Sequence, residues 1–118
     1  MINAHLYQAT SLEDWQGRID GDRIERFHQV IQILDLNQKN CLHKFPKRNF
    51  ALLGFCCDAG VIRNQGRPGA KEGPQALRKM LSSLPLHHEL TIYDAGNIIC
   101  EGDDLEAAQQ QLGSVTEQ

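Results

Sequence analysis

A short apolar run followed directly by a glycine-rich loop constrains the fold more than any other feature. The run, 50-FALLGFCC-57, is uninterrupted, which is typical of a strand covered on both faces, as in a parallel sheet. The loop, 58-DAGVIRNQGRPGAKEGP-74, contains four glycines, two arginines and two prolines. We therefore predict a buried strand over 49–57 that ends in a conformationally permissive loop.

The downstream pattern predicts two helices and a second strand. Pro74 suits a first helical residue, and an apolar stripe follows it at helical spacing: Leu77, Met80, Leu81 and Leu84. Residues 89–96 alternate like a strand that ends at Asp94 and Gly96, and residues 103–115 open with acids that favour a helix N-terminus. The order strand, helix, strand, helix predicts an α/β fold with a parallel sheet.

The upstream pattern predicts an arm and a further helix. Residues 1–21 show little periodicity and are expected to form an irregular arm that packs through Trp15. The spacing of Asp22 and Glu25 resembles a capping box, and apolar residues recur after it at helical intervals. We predict a helix over 22–36, followed by a polar loop up to the apolar run.

Size and charge exclude several classes of protein. A chain of 118 residues and 13.3 kDa has room for one domain with a modest core. Its net charge of -3 does not fit a binder of nucleic acids, which needs a concentrated basic surface. No apolar stretch approaches the roughly 20 residues that span a bilayer, so we expect no membrane partner.

The N-terminus and the cysteines indicate the compartment. The first residues, MINAHLYQAT, lack the charged start and apolar middle of a secretory signal. The four cysteines, at positions 41, 56, 57 and 100, form no C-x-x-C pair, and Cys56 and Cys57 would point to opposite faces of a strand. Free thiols fit a reducing compartment, and we expect a cytoplasmic protein.

The glycine-rich loop is the candidate site, because ligands of open α/β sheets gather at the carboxyl ends of the strands. Asp58, Asn64 and Arg67 would present side chains at this rim, together with Asp94 from the second strand. Three glycines would shape the loop: Gly66, Gly69 and Gly73. Two alternatives remain: a tight turn in which Arg67 pairs with Asp58 or Glu72, and a nucleotide-binding βαβ unit, although the glycine spacing fits no nucleotide fingerprint.

The loop also carries a resemblance. The string 66-GRPGAKEGPQALR-78, with 53-LGFCCDAGVIRNQ-65 before it and 93-YDAGNI-98 after it, resembles the start of the arginase (ureohydrolase) family. The strings 15-WQGRID-20 and 28-HQVI-31 resemble the N-terminal region of its formimidoylglutamase branch. The resemblance implies the N-terminal part of a three-layer α/β/α fold and an amidine substrate, N-formimidoyl-L-glutamate, hydrolysed to glutamate and formamide. One departure is 94-DAGN-97, where the family often has D-x-G-D.

The resemblance further implies two manganese ions that bridge a hydroxide. The family's ligand motifs are G-G-x-H, D-x-H-x-D and a later D-x-D, and this chain contains neither of the first two. The histidines are isolated or, at His87 and His88, adjacent, so they are poor chelators of one ion. We therefore expect no metal ligand and no catalytic residue in this chain.

Three expectations follow for the whole chain. It would be an inactive N-terminal fragment of a longer ureohydrolase, with Asn64 and Arg67 helping to position substrate carboxylates. An alternative is a noncatalytic interaction or regulatory module that uses the glycine loop and an open sheet edge. In either case a short sheet with an unpaired edge predicts self-association or homo-oligomer formation.

Overall fold

A computed structural model of the chain describes residues 2–19, 21, 23–24, 26–38 and 49–117. The described part contains four strands and three helices, in this order: β1 (Tyr7–Gln8), β2 (Ile31–Ile33), β3 (Asn49–Cys56), α1 (Ala59–Arg63), α2 (Gly73–Ser82), β4 (Thr91–Ile99) and α3 (Leu105–Thr116). Short 3-10 turns lie at Ala4–Leu6, Leu12–Asp14, Phe27–Gln29 and Ala70–Glu72. From β3 onward the predicted strand, helix, strand, helix order is confirmed, except that the predicted loop also contains the short helix α1.

Strand β4 lies at the centre of a mixed sheet. It pairs in parallel with β3 along one edge, from Asn49 opposite Thr91 to Cys56 opposite Ile99. Its other edge pairs in parallel with β2 and, further along, antiparallel with β1. The α/β fold class with parallel strands is therefore confirmed, and the antiparallel β1 is an addition that the pattern did not predict.

Two clusters of buried apolar side chains cover the two faces of the sheet. One lies against α3 and has three buried members: Tyr7, Ile98 and Ala108. The other lies between the sheet, α2 and the N-terminal arm, and also has three: Trp15, Ile31 and Ile92. Consecutive residues Leu52 and Leu53 of β3 pack against different clusters, because side chains alternate along a strand. Burial of Trp15 agrees with the predicted role of the arm.

The predicted helix over 22–36 is wrong for the residues that are described. Phe27–Gln29 forms a 3-10 turn and Ile31–Ile33 forms β2. Ile31 is buried beside β4, and the Leu34 N–H donates to the carbonyl of Asp94 at 2.9 Å. Hydrogen bonds to the sheet thus replace those of a helix, since tertiary contacts override a local pattern. The proposed cap residues Asp22 and Glu25 lie outside the described residues, as does most of the loop after 36.

The predicted end of the second strand at Asp94 is also wrong. Strand β4 continues to Ile99, and Asp94 lies in its middle rather than at the carboxyl edge. The sequence 94-DAGN-97 has the composition of a turn. The strand nevertheless accommodates Gly96 at a φ of +84°, where an added Cβ would lie 2.6 Å from the Tyr7 hydroxyl oxygen. Glycine is required there both for this backbone conformation and for the close approach of β1.

Two further features of the described residues concern the outer edge of β3 and the character of the helices. Strand β3 has no strand partner on its outer edge among these residues, and Phe50 on it is 57% exposed. None of the described helices combines the length and the apolar character that crossing a membrane requires.

Candidate functional site

The glycine-rich loop is closed by one side chain, that of Asp58. Its Oδ1 atom accepts hydrogen bonds from the backbone N–H groups of Gly69 at 3.1 Å and Lys71 at 2.8 Å. The Lys71 N–H is the main cause that lowers the pKa of this exposed carboxyl below its ordinary value. Gly69 adopts a φ of +147°, which favours glycine. The Asp58 carboxylate therefore makes its hydrogen bonds within the loop.

This use of Asp58 argues against the nucleotide-binding alternative, and it keeps the tight turn but not the Arg67–Asp58 pair. A phosphate cradle needs backbone N–H groups that point at the ligand, but two N–H groups of this loop already donate to a carboxylate whose charge repels phosphate. The suggested pairing of Arg67 with Asp58 is likewise replaced by backbone donors. The loop is a tight turn in which the Asp58 side chain binds main-chain N–H groups.

The other predicted rim residues occupy different places. Asn64 ends α1 and, like Arg67, is exposed to solvent. The Gly66 N–H donates to the Val61 carbonyl at 2.8 Å, and a Cβ at Gly66 would lie 2.8 Å from a Val61 methyl group. Gly73 begins α2 in open space. The structure thus brings Asp58 and Gly69 together, packs Gly66 against Val61, and leaves Asn64 and Arg67 exposed.

A buried ionic cluster braces the helix that follows the loop. Arg78 of α2 donates from Nε to Asp94 Oδ2 at 2.8 Å and from Nη2 to Asp94 Oδ1 at 3.0 Å. Its Nη1 donates to Asn97 Oδ1 at 2.7 Å, and the Trp15 indole N–H donates to Asp94 Oδ2 at 2.7 Å. Bidentate pairing of this kind gives strong and geometrically specific hydrogen bonds. The cluster ties α2, the arm and β4 to each other.

Sequence reasoning missed this cluster, although its members lie in the quoted motifs. Asp94 was expected at the rim, but it is fully buried and its charge is neutralised by Arg78. Asn97 stands where the resembling family often has an acid, and here its amide oxygen accepts from Arg78. Half of a signal was available, since an aspartate inside an apolar strand predicts a buried partner, but the predicted apolar stripe of α2 did not mark Arg78: Leu77 and Met80 of that stripe are 58% and 72% exposed, whereas Arg78 is buried.

A cleft of about 460 Å³ opens at the carboxyl ends of β3 and β4. Its walls come from the arm, the strand ends and the end of the glycine loop, and include Thr10, Asp14, Cys56, Lys71, Gln75 and Cys100. The Thr10 hydroxyl oxygen is buried without a hydrogen-bond partner among the described residues. An unsatisfied buried hydroxyl calls for a partner such as water or a ligand group. The cleft is therefore a candidate binding site in addition to the exposed face of the loop that carries Asn64 and Arg67.

A metal centre would require a set of donor side chains close together. Across residues 2–19, 21, 23–24, 26–38 and 49–117, no group of three or more His, Cys, Asp or Glu side chains is arranged to hold an ion. A pair of divalent ions needs a dense set of oxygen and imidazole ligands. The residues described here do not supply such a donor set.

An exposed ion pair joins α1 to α3 at the same edge. The Arg63 guanidinium donates to Glu106 Oε1 at 2.5 Å and to Oε2 at 3.0 Å, and also to the Asp103 carbonyl at 2.8 Å. These hydrogen bonds lower the pKa of Glu106 to about 2 and raise that of Arg63 above its ordinary value. The pair links the end of α1 to the start of α3.

Comparison with known proteins agrees with the motifs. The arginase family pattern matches residues 48–118. A formimidoylglutamase of Geobacillus kaustophilus is 44% identical over 113 residues, which are 92% of this chain and 34% of that protein. One from Cupriavidus pinatubonensis is 45% identical over 93% of this chain and 35% of its own length, and one from Vibrio cholerae is 44% identical over 92% and 32%. The chain spans about a third of the length of these relatives.

Proposed function

Because this chain belongs to the arginase family, we propose that it forms the N-terminal scaffold of an enzyme that hydrolyses N-formimidoyl-L-glutamate. In that reaction water adds to the amidine carbon and a C–N bond breaks, releasing L-glutamate and formamide. The observation that carries the proposal is the 44% identity to formimidoylglutamases over nearly the whole chain, including the arm as well as the glycine loop.

The proposed role of this segment is positioning rather than chemistry. The arm, α2 and β4 are locked by the Arg78 cluster, so the cleft between them has a fixed shape. On the rim, Arg67 is exposed and has the planar fork that pairs with a carboxylate, which the proposed substrate carries. The manganese ions implied by the family would take their ligands from other parts of a longer protein, because the described residues of this segment do not supply them.

A chimera tests the proposal. Residues 1–118 would replace the matching third of the Geobacillus kaustophilus formimidoylglutamase, and formamide release from N-formimidoyl-L-glutamate would be measured. We expect an active chimera, and no release from the 118-residue chain alone. The matched control is the same chimera with Arg78→Ala, which should lose folded protein. A folded chimera that does not release formamide, or an isolated chain that does, overturns the proposal.

A second candidate is a noncatalytic interaction module. It is favoured by the outer edge of β3, which has no strand partner within the described ranges. Adding a strand to such an edge is a common mode of peptide recognition. The chimera separates the two candidates, since a noncatalytic module would not support hydrolysis when it replaces the matching third of the enzyme.

A further inference from the structure

Two cysteines face each other where β3 and β4 end. The strands are in parallel register at Cys56 and Ile99, and the Cys100 N–H donates to the Cys56 carbonyl at 3.4 Å. The next pair in this register is Cys57 and Cys100. Neighbouring strands lie about 4.8 Å apart, which is within the Cα separation that a disulfide requires, roughly 4.4–6.8 Å.

The side chains of Cys57 and Cys100 also meet, whereas that of Cys56 points elsewhere. Cys100 packs with Leu53 and Phe55 of β3 on the α3 face of the sheet, which alternation also makes the face of Cys57, and the Cys100 Sγ lies 3.6 Å from the Gly102 carbonyl oxygen. Cys56 lies toward α2, where the charges of Arg78 and Glu72 act on it. All three thiols are free and partly exposed. Alternation along β3 thus selects one of two adjacent cysteines as the partner of Cys100.

We propose that Cys57 and Cys100 are a redox modification site that forms a reversible disulfide with a low-molecular-weight disulfide, such as oxidised glutathione, as the oxidant. The Cys57 thiolate attacks one sulfur of the oxidant, whose S–S bond breaks and releases one thiol. The Cys100 sulfur then attacks the Cys57 sulfur of the mixed disulfide and expels the second thiol. The protein loses two electrons and two protons, and both are recovered in the two released thiols.

The order of attack follows from the surroundings of Cys100. Burial is the main cause that raises the pKa of Cys100 to about 11. Little thiolate is present at this sulfur near neutral pH, so it is the slower nucleophile and acts as the resolving thiol. Its attack is made effectively intramolecular by the contact with Cys57.

The crosslink has a structural consequence for the cleft. Cys100 lines the cleft and begins the turn into α3. A bond to Cys57 would tether that turn to the end of β3 and close a covalent loop that contains the glycine-rich segment and α2. Oxidation would therefore fix the edge of the cleft, independently of whether formimidoylglutamate is the substrate.

Peptide mapping by mass spectrometry tests the proposal. The purified chain would be equilibrated in buffers of reduced and oxidised glutathione, quenched with acid and alkylated before proteolysis. We expect one dominant crosslinked peptide pair, joining Cys57 to Cys100, and a rise in Tm of at least about 5 °C over the reduced protein, since a closed loop restricts the unfolded chain. Returning the sample to reduced glutathione should reverse both changes.

Matched variants and a denatured control make the test specific. Cys57→Ser and Cys100→Ser should abolish the crosslink, whereas Cys56→Ser, one residue away, should retain it. The same oxidation in guanidinium should give a mixture of pairings, because four cysteines then compete. A native sample that shows the same mixture, that pairs Cys56 with Cys100, or that stops at the mixed disulfide on Cys57 overturns the proposal.

Discussion

The Asp94 carboxylate is fully buried and accepts hydrogen bonds from Arg78, Trp15 and the Gly96 N–H. Removing one partner of a buried ion pair leaves a charge without compensation. We expect Arg78→Ala to lower the free energy of unfolding by about 3–5 kcal/mol, measured by urea denaturation. Trp15→Phe, which keeps an aromatic ring but loses one donor to a charged group, should cost less, about 1.5–3 kcal/mol.

Arg63→Ala is the matched control for this prediction. Arg63 also pairs with a carboxylate, but its side chain is 46% exposed, against 4% for Arg78. Exposed pairs contribute little, so the loss should be small. Equal losses in the Arg63 and Arg78 variants would contradict the stabilising role assigned to the buried cluster.

Glu106 gives a pH-dependent prediction. Its hydrogen bond to Arg63 holds the pKa at about 2 in the folded chain, below the ordinary value of 4.5. Because the folded pKa is the lower one, the stabilisation is fully present above pH 4.5 and is lost as the pH falls toward 2. The Tm difference between the protein and Glu106→Gln should therefore narrow over this interval. A difference that is constant across it, or one that adding salt does not reduce, would contradict the assignment.

Arg67 gives a prediction for function. If its guanidinium positions a substrate carboxylate, Arg67→Ala in the active chimera should raise KM for N-formimidoyl-L-glutamate and leave kcat nearly unchanged, as expected when uniform binding is lost. Arg67→Lys keeps the positive charge but not the planar guanidinium. Its KM should lie between those of the unchanged chimera and of Arg67→Ala. An unchanged KM in a normally assembled protein would remove Arg67 from the substrate site.

At the scale of elements, β3 and α2 approach so closely that a glycine is required between them. A Cβ at Gly54 would overlap Asn97 Oδ1 and lie 2.8 Å from Pro74 Cβ. Asn97 is held by Arg78 and cannot easily move. We expect Gly54→Ala to destabilise the chain by about 1–3 kcal/mol through overpacking. The control is Gly113→Ala in α3, which has open space and should stabilise the helix by up to about 1 kcal/mol.

The strands and helices differ in how well the sequence alone predicts them. The order from β3 to α3 was predictable, because each element there has a period or a composition of its own. Strand β2 was not, since its apolar residues fit a helix equally well and only pairing with β4 decides between the two. The continuation of β4 through Asp94 and Asn97 depends on Arg78 from another element. The cleft depends on how the arm returns to the sheet, which no local pattern indicates.

At the scale of the molecule, the outer edge of β3 predicts association. Phe50 is 57% exposed on that strand, and Met80 of the neighbouring α2 is 72% exposed. Long exposed edges with apolar side chains invite pairing with another chain. We expect sedimentation velocity to show concentration-dependent oligomers, and Phe50→Lys to reduce them. Ile62→Lys, at a residue 56% exposed on α1, makes the same change away from the edge and should have less effect.

Two results would contradict the predicted association through the edge of β3. A monodisperse monomer that melts cooperatively above about 60 °C, beyond the middle of the range for mesophile domains, would show that the outer edge of β3 does not cause association. Association that persists in Phe50→Lys but disappears in Ile62→Lys would place the contact on α1 instead.

Within the described residues, β1, β2 and β3 all pair with β4 and with no other strand. Because β4 is the last of the four in the chain, a ribosome releases three strands before the one that joins them. The first ninety residues must wait, without their sheet hydrogen bonds, until Thr91–Ile99 has emerged. The sheet therefore forms during synthesis only once Thr91–Ile99 is available, when the three earlier strands can pair with it in a nearly simultaneous step.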